Sequence, residues 1–223
     1  TGMARLGTPW ETSEQTIASW LASSDQIIKE GIYSHFANSD ISHELNNTQL
    51  ERFINQTKPH SRSIKHLANS DGVSNIQNSH FDLVRIGLNA YQNSFTLTAP
   101  IRKLQFAKKG TAVGYGSTYI TDEDCYVGVV GIGYADGIST QYSNKGFVTI
   151  NQQNYPIIGK ICMDMFMIKL PASTSVSTAD KAIIISPDDE PGMTASEMAS
   201  ITDQNPREIM TRFSKRIKRI ITT

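Results

Sequence analysis

The chain has 223 residues, room for one large domain or two small ones. Lysine plus arginine and aspartate plus glutamate both total 21, so the formal charge is zero and a nucleic-acid binder that works by neutralising phosphates is set aside. Apolar residues make up 39%, no run approaches the roughly 20 apolar residues of a membrane helix, and two cysteines cannot build a disulfide scaffold, so a cytoplasmic protein with a buried core is expected.

The opening residues Thr1-Gly2-Met3-Ala4-Arg5 carry neither an initiator methionine nor a basic-plus-apolar leader, so they read as a chain entered partway, not as a signal peptide. Ile17, Trp20, Leu21, Ile27 and Ile28 then recur at roughly helical spacing, which predicts a helix over 13–28. Ser13 suits its N-cap, and Glu14 puts negative charge in the first turn, where the helix dipole favours it. Residues 31–36 read as a short strand, and Asn47-Thr48 opens a second helix carrying Leu50, Phe53 and Ile54. A strand over 63–67, a helical turn over 71–76 and a strand over 83–86 follow. This alternation predicts a parallel sheet of βα units, as in a barrel or a doubly wound fold. Past residue 99 strands succeed one another over 101–108, 126–134, 147–150, 155–161 and 166–170, with Asn151-Gln152-Gln153-Asn154 as a hairpin connection. A strand over 182–185, a helix over 193–201 and a basic tail over 215–219 complete the reading. The expected fold class is α/β followed by a mostly-β part, with the boundary near residue 95.

In a parallel βα fold, ligands bind at the carboxyl ends of the strands, and His35, Asn69-Ser70 and Arg85 fall at or just after such ends. Gly87 lets backbone amides approach an anion, so Ser70 with the amides of Gly87 and Leu88 suits a phosphate, while Arg85 offers a fixed guanidinium. Taken singly, His35 reads as a core histidine and Arg85 as a surface ion-pair partner. Their joint placement on three successive strand ends is what points to a site. Farther on, Gly114-Tyr115-Gly116 sets a phenol between glycines, a poor core position, and Gly133-Tyr134-Ala135-Asp136-Gly137 ends a buried strand in a polar turn. Both read equally as hairpin turns with rim tyrosines, and Cys162-Met163-Asp164-Met165 is as open. Cys125 and Cys162 have no His or Cys at zinc spacing, so no metal is expected, and His43, His60 and His80 read as solvated. Neither a P-loop nor a G-x-G-x-x-G occurs.

Seven motifs, in order, resemble those of alanine racemases. They are Thr1-Gly2-Met3-Ala4-Arg5-Leu6-Gly7, Gly31-Ile32-Tyr33-Ser34-His35-Phe36-Ala37, His66-Leu67-Ala68-Asn69-Ser70, Val84-Arg85-Ile86-Gly87-Leu88, Gly114-Tyr115-Gly116, Gly133-Tyr134-Ala135-Asp136-Gly137 and Gly159-Lys160-Ile161-Cys162-Met163-Asp164. The resemblance spans essentially the whole chain. It implies the later half of a TIM-type barrel that binds pyridoxal 5'-phosphate over 1–95, then a β-rich domain over 96–223. The activity implied is interconversion of L- and D-alanine, which supplies D-alanine for peptidoglycan, by a homodimer whose active sites are shared between subunits.

Racemisation removes the α-proton on one face and returns it on the other, which calls for two bases and an aldimine to acidify the proton. Tyr115 resembles the family's tyrosine base, reaching in from the partner subunit. Its phenol, ordinarily near pKa 10, must be lowered by neighbours, and His35 and Arg5 match the positions that supply them. Arg5 also resembles the residue that orients the substrate carboxylate and the cofactor phenolate. Met163 matches a residue at the substrate carboxylate, with Tyr134 and Asp164 at the entrance. Asn69, Ser70, Gly87 and Leu88 match cofactor-binding positions, the last three at the phosphate. Arg85 matches the arginine facing the pyridine nitrogen, and since arginine has no acceptor, that nitrogen must stay unprotonated.

Two departures stand out. The family's aldimine lysine and its second, often carbamylated, lysine would both fall before Thr1. Arg207 stands where many relatives carry a phosphate-binding tyrosine, and a guanidinium can grip phosphate through two parallel bonds. The alternatives are a non-catalytic fragment that only associates with a partner chain, and a serine racemase of the same fold.

Overall fold

The computed structural model describes residues 2–91 and 93–221. Contacts divide the chain into two compact units, one up to Ala90 and one from Tyr91.

The first unit is α/β. After a 3-10 turn at Trp10–Thr12 come α1 (Ser13–Ser23), β1 (Gly31–Tyr33), α2 (Glu44–Thr57), β2 (Ile64–Asn69), α3 (Ser70–Asn75), β3 (Leu83–Arg85) and the short α4 (Leu88–Tyr91). The three strands form a parallel sheet in the order β1-β2-β3, as the alternation predicts. Tyr33 pairs with His66 and Asn69 with Arg85, which brings the strand ends level. A small core of Phe36, Phe53, Leu67 and Ile76 lies beneath. The face that α2 buries, Asn46, Gln49, Phe53 and Thr57, keeps helical spacing but is mostly polar.

Two expectations need correction here. The first helix ends at Ser23, where Ser24 turns to extended backbone and its hydroxyl accepts from the Gln26 amide. The second helix opens at Glu44, not at Asn47-Thr48, because the His43 side chain caps it by accepting from the Leu45 amide at 3.1 Å. His43 and His80 are exposed, as expected, with His80 Nε2 3.1 Å from the Val73 carbonyl, while His60 is partly buried with Nδ1 2.9 Å from Lys29 Nζ.

The second unit is mostly β. Its elements are β4 (Leu97–Ala107), β5 (Ala112–Val113), β6 (Tyr119–Ile120), β7 (Cys125–Val130), β8 (Phe147–Ile150), β9 (Gln153–Ile158), β10 (Phe166–Pro171), β11 (Lys181–Ile185), α5 (Ala195–Thr202) and α6 (Pro206–Thr211). Six strands close into a barrel in the order β10-β7-β4-β11-β8-β9, with β9 paired back to β10. Pro100, which has no N–H to donate, sits where β4 passes from pairing with β11 to pairing with β7. The β8–β9 hairpin turns on Asn151 and Gln152, both at positive φ, a geometry that matches the strand twist. A Thr194–Glu197 capping box starts α5, and Pro206 starts α6 with its missing N–H where the helix needs none.

Successive residues of β10 serve two cores. Phe166, Ile168 and Leu170 face the barrel interior with Val148, Ile150 and Ile184. Met167 points the other way and joins Val113, Val127 and Ile158, with Tyr119 packed alongside. This second core seats the β5–β6 hairpin, and that hairpin carries Tyr115.

Candidate functional site

In the first unit the site is organised by Arg85, at the end of β3. One of its terminal nitrogens reaches the Ser34 carbonyl at 2.7 Å, the Leu67 carbonyl at 3.0 Å and His35 Nδ1 at 3.0 Å. The other lies 2.5 Å from His66 Nδ1. The guanidinium thus ties β3 to β2 and to the end of β1. Because arginine only donates, both imidazoles accept at Nδ1 and carry their proton on Nε2. Burial, then the neighbouring Arg85 charge, holds the His66 imidazole below the ordinary histidine value. Tyr33 stacks flat on His66, with centroids 5.2 Å apart, and Arg85 lies over the tyrosine ring at 5.4 Å.

His66 was legible only as part of a motif; as a partner of Arg85 it is a gain from the structure. So is Gln49, which holds the backbone on both sides of Phe36. Its carbonyl accepts from the Ala37 amide at 3.0 Å, and its amide donates to the His35 carbonyl at 3.1 Å.

Beside Arg85, Ser70 is buried at the start of α3 and accepts from the Gly87 amide at 2.8 Å. A Cβ placed on Gly87 would meet only Ser70 Oγ, at 3.8 Å, so the space above the pair is open. Asn69 has a structural task, because its carbonyl caps α3 at the Gly72 amide and accepts from Ser39. Leu88 opens α4. Arg5 is exposed in a bent segment over residues 3–7. A cavity of about 360 Å³ lies against β1, lined by Trp10, Trp20, Ile32, Tyr33 and Phe53 among others, and none of the sequence-predicted site residues lines it.

In the second unit two loops are fused edge to edge. The Tyr134 amide donates to the Cys162 carbonyl at 3.0 Å, and the Ala135 amide to the Met163 carbonyl at 2.9 Å. Gly133 permits this approach, since a Cβ there would stand 2.3 Å from the Cys162 carbonyl oxygen. Tyr134, Met163 and Asp164 are thereby gathered and half-exposed. Arg216 bridges Asp164 at 2.6 Å and Asp136 at 3.4 Å. Tyr115 is 74% exposed, in a turn where Gly114 and Gly116 both take positive φ. Lys169 pins the loop after β6 through Asp122 and Glu123, each at 2.6 Å. Those bonds hold its ammonium above the ordinary lysine value and the Asp122 carboxyl below its own. Arg207 is exposed on α6.

Among the described residues no group of three or more His, Cys, Asp or Glu could hold a metal ion, and no helix is long and apolar enough to cross a membrane.

Comparison with known proteins gives the context. The family described as alanine racemase, N-terminal domain, matches residues 1–94, and that described as alanine racemase, C-terminal domain, matches 94–221. An alanine racemase of Carboxydothermus hydrogenoformans is 31% identical over 99% of this chain and 65% of its own length. One from Thermodesulfovibrio yellowstonii is 32% identical over 98% and 62%. A crystal structure of alanine racemase from Bartonella henselae with covalently bound pyridoxal phosphate aligns with a TM-score of 0.87 and 29% identity, covering 99% of this chain and 64% of that one. The chain therefore spans a little under two thirds of the length of the relatives it matches. Two domain families, met in order across nearly every residue, make this chain a member of the alanine racemase family.

Proposed function

We propose that the protein is a pyridoxal-phosphate-dependent racemase that interconverts L- and D-alanine as a homodimer in the cytoplasm. The aldimine lysine would then lie in the part of the relatives' length that this chain does not span. The domain boundary is placed near residue 95, ahead of β4.

The observation that carries the reading is Arg85. It is a donor-only group braced on two strand-end carbonyls and two neutral imidazoles, one strand away from the Ser70–Gly87 pair. That donor set fits the cofactor. Arg85 keeps N–H capacity for an unprotonated ring nitrogen, and the Ser70 hydroxyl, still able to donate, with the open space at Gly87 suits a phosphate oxygen. Asn69 would shape this end through its cap, and Leu88 would add an amide. Arg207 would supply a second cation to the phosphate.

When bound, pyridoxal phosphate supplies the electron sink that makes an amino acid's α-proton acidic. This chain's residues handle the rest. Tyr115, from one subunit, would move the proton on one face at its phenol oxygen. Arg5 and His35 would stabilise the phenolate form. Arg5 and the Met163 loop would orient the substrate carboxylate, and Tyr134 and Asp164 would line its entrance.

The test is Tyr115→Phe in the full-length dimer. Racemisation should fall by about a hundred- to ten-thousand-fold with cofactor absorbance intact. Isotope exchange at the α-carbon should fall mainly from one enantiomer, because the other face keeps its own base. Wild-type exchange from both would remove the tyrosine from the mechanism, and faster turnover of serine than of alanine would change the substrate.

A further inference from the structure

We propose that Asn144 is a positioning residue for Tyr115, a role that rests on the reading of Tyr115 as a base. The Tyr115 turn juts from a hairpin whose two strands hold two residues each, too short to fix an exposed ring by themselves. Asn144 ties that turn to the barrel. Its amide nitrogen donates to Thr118 Oγ1 at 3.2 Å and to the Thr118 carbonyl at 3.4 Å, three residues past Tyr115. Its carbonyl oxygen accepts from the Gly159 amide at 2.6 Å, at the end of β9.

The neighbouring residues show that this is a bracket and not a chance contact. Ser143 Oγ accepts from the Ile161 amide at 3.0 Å. Tyr142, 1% exposed, anchors the segment by donating to the Met198 carbonyl at 3.3 Å. Asn144 itself sits at φ 59°, a conformation that asparagine tolerates far better than most residues. The bracket therefore grips the Gly159–Ile161 backbone, which runs on into the Met163 loop, and holds the tyrosine turn to the same backbone. One short segment sets the spacing between the proton-moving phenol and the loop read as meeting the substrate carboxylate. A misplacement of about 1 Å at such a spacing can cost a hundredfold in rate.

The experiment uses the full-length dimer with cofactor, and the same protein without it. Asn144→Gly keeps the left-handed backbone and removes all three side-chain bonds. Amide hydrogen exchange over residues 114–118 should quicken in the cofactor-free protein. In the loaded enzyme, kcat for alanine should fall about 10- to 100-fold with KM little changed. The loss of α-proton exchange should fall on the same enantiomer that Tyr115→Phe affects. Thr118→Val, which leaves the bond to Gly159, should reproduce that asymmetry more weakly and add nothing on top of Asn144→Gly.

Unchanged exchange over 114–118, or an equal loss from both enantiomers, overturns the proposal while the tyrosine reading stands. If Asn144→Gly does not fold, Thr118→Val decides by the same two readouts. A silent Tyr115→Phe overturns the tyrosine reading, and this proposal with it.

Discussion

The two units hold their sheets together by different means. The barrel of the second unit closes, so each of its six strands has a partner on both sides, and its interior is packed with fully buried Phe166, Ile168, Leu170 and Ile150. The first unit holds a three-stranded parallel sheet, in which β1 and β3 each pair with β2 among the described residues, over a small core of Phe36, Phe53, Leu67 and Ile76. Ile28, Trp20, Tyr33, Leu83 and Ile86 stand exposed around it. What holds its strand ends level is polar, and most of that burden falls on Arg85. One unit is held by the apolar interior of a closed barrel, the other by a small core and by the polar ties that Arg85 makes between its strand ends.

The strongest way to break this comparison is to express the units apart. Residues 91–223 should give a dispersed amide NMR spectrum and a cooperative thermal transition. Residues 1–90 should give neither, since a parallel sheet ordinarily needs both faces covered. A cooperative transition from the first segment would sink the contrast.

Next in size is Phe166→Ala, which empties the middle of the barrel and should cost about 3–5 kcal/mol in denaturant unfolding. Arg85→Leu attacks the polar counterpart. It strands two carbonyls and two imidazoles that water can partly reach, so the cost should be smaller, about 1–3 kcal/mol. If Arg85→Leu proved the more damaging of the two, the ranking of the units would reverse.

The smallest effect expected is one of pH. Burial and Arg85 lower the folded His66 value, so below the ordinary histidine value of about 6.5 the unfolded chain binds the extra proton first. Stability from this group is present above that value and lost as pH falls through it toward the folded value. His66→Gln should flatten this acid-side slope in a pH series of melting curves, and an unchanged slope would remove His66 as its source.

How much of this could be read from the residues depended on element length. The strand over 147–150 was legible to the residue because four apolar and β-branched side chains stand between turn formers. The strands β5 and β6 were not, because two residues carry no periodicity at all. Asn47-Thr48 looked like a helix start by composition, yet the cap is His43, a residue type that seldom advertises one. In the candidate site, Arg85 and His35 were visible as strand-end polar groups. His66 was not, because its importance lies in a cross-strand contact nineteen residues away from Arg85 in sequence. Asn144 was invisible for the same reason, since it joins Thr118 to Gly159 and belongs to neither motif.

The barrel's strand order bears on how the protein is made. Its first strand, β4, lies beside its last, β11, with Leu97 registered against Ile185. A ribosome that adds about 5–20 residues each second therefore leaves Leu97 waiting roughly 4–18 s before its neighbour exists. During that interval β4 and β7 can pair as a ribbon, but the interior stays open to water and to other nascent chains. Contacts this distant along the chain also slow folding in general. The barrel, the more secure half once finished, is thus the half that a chaperone has most reason to guard during synthesis.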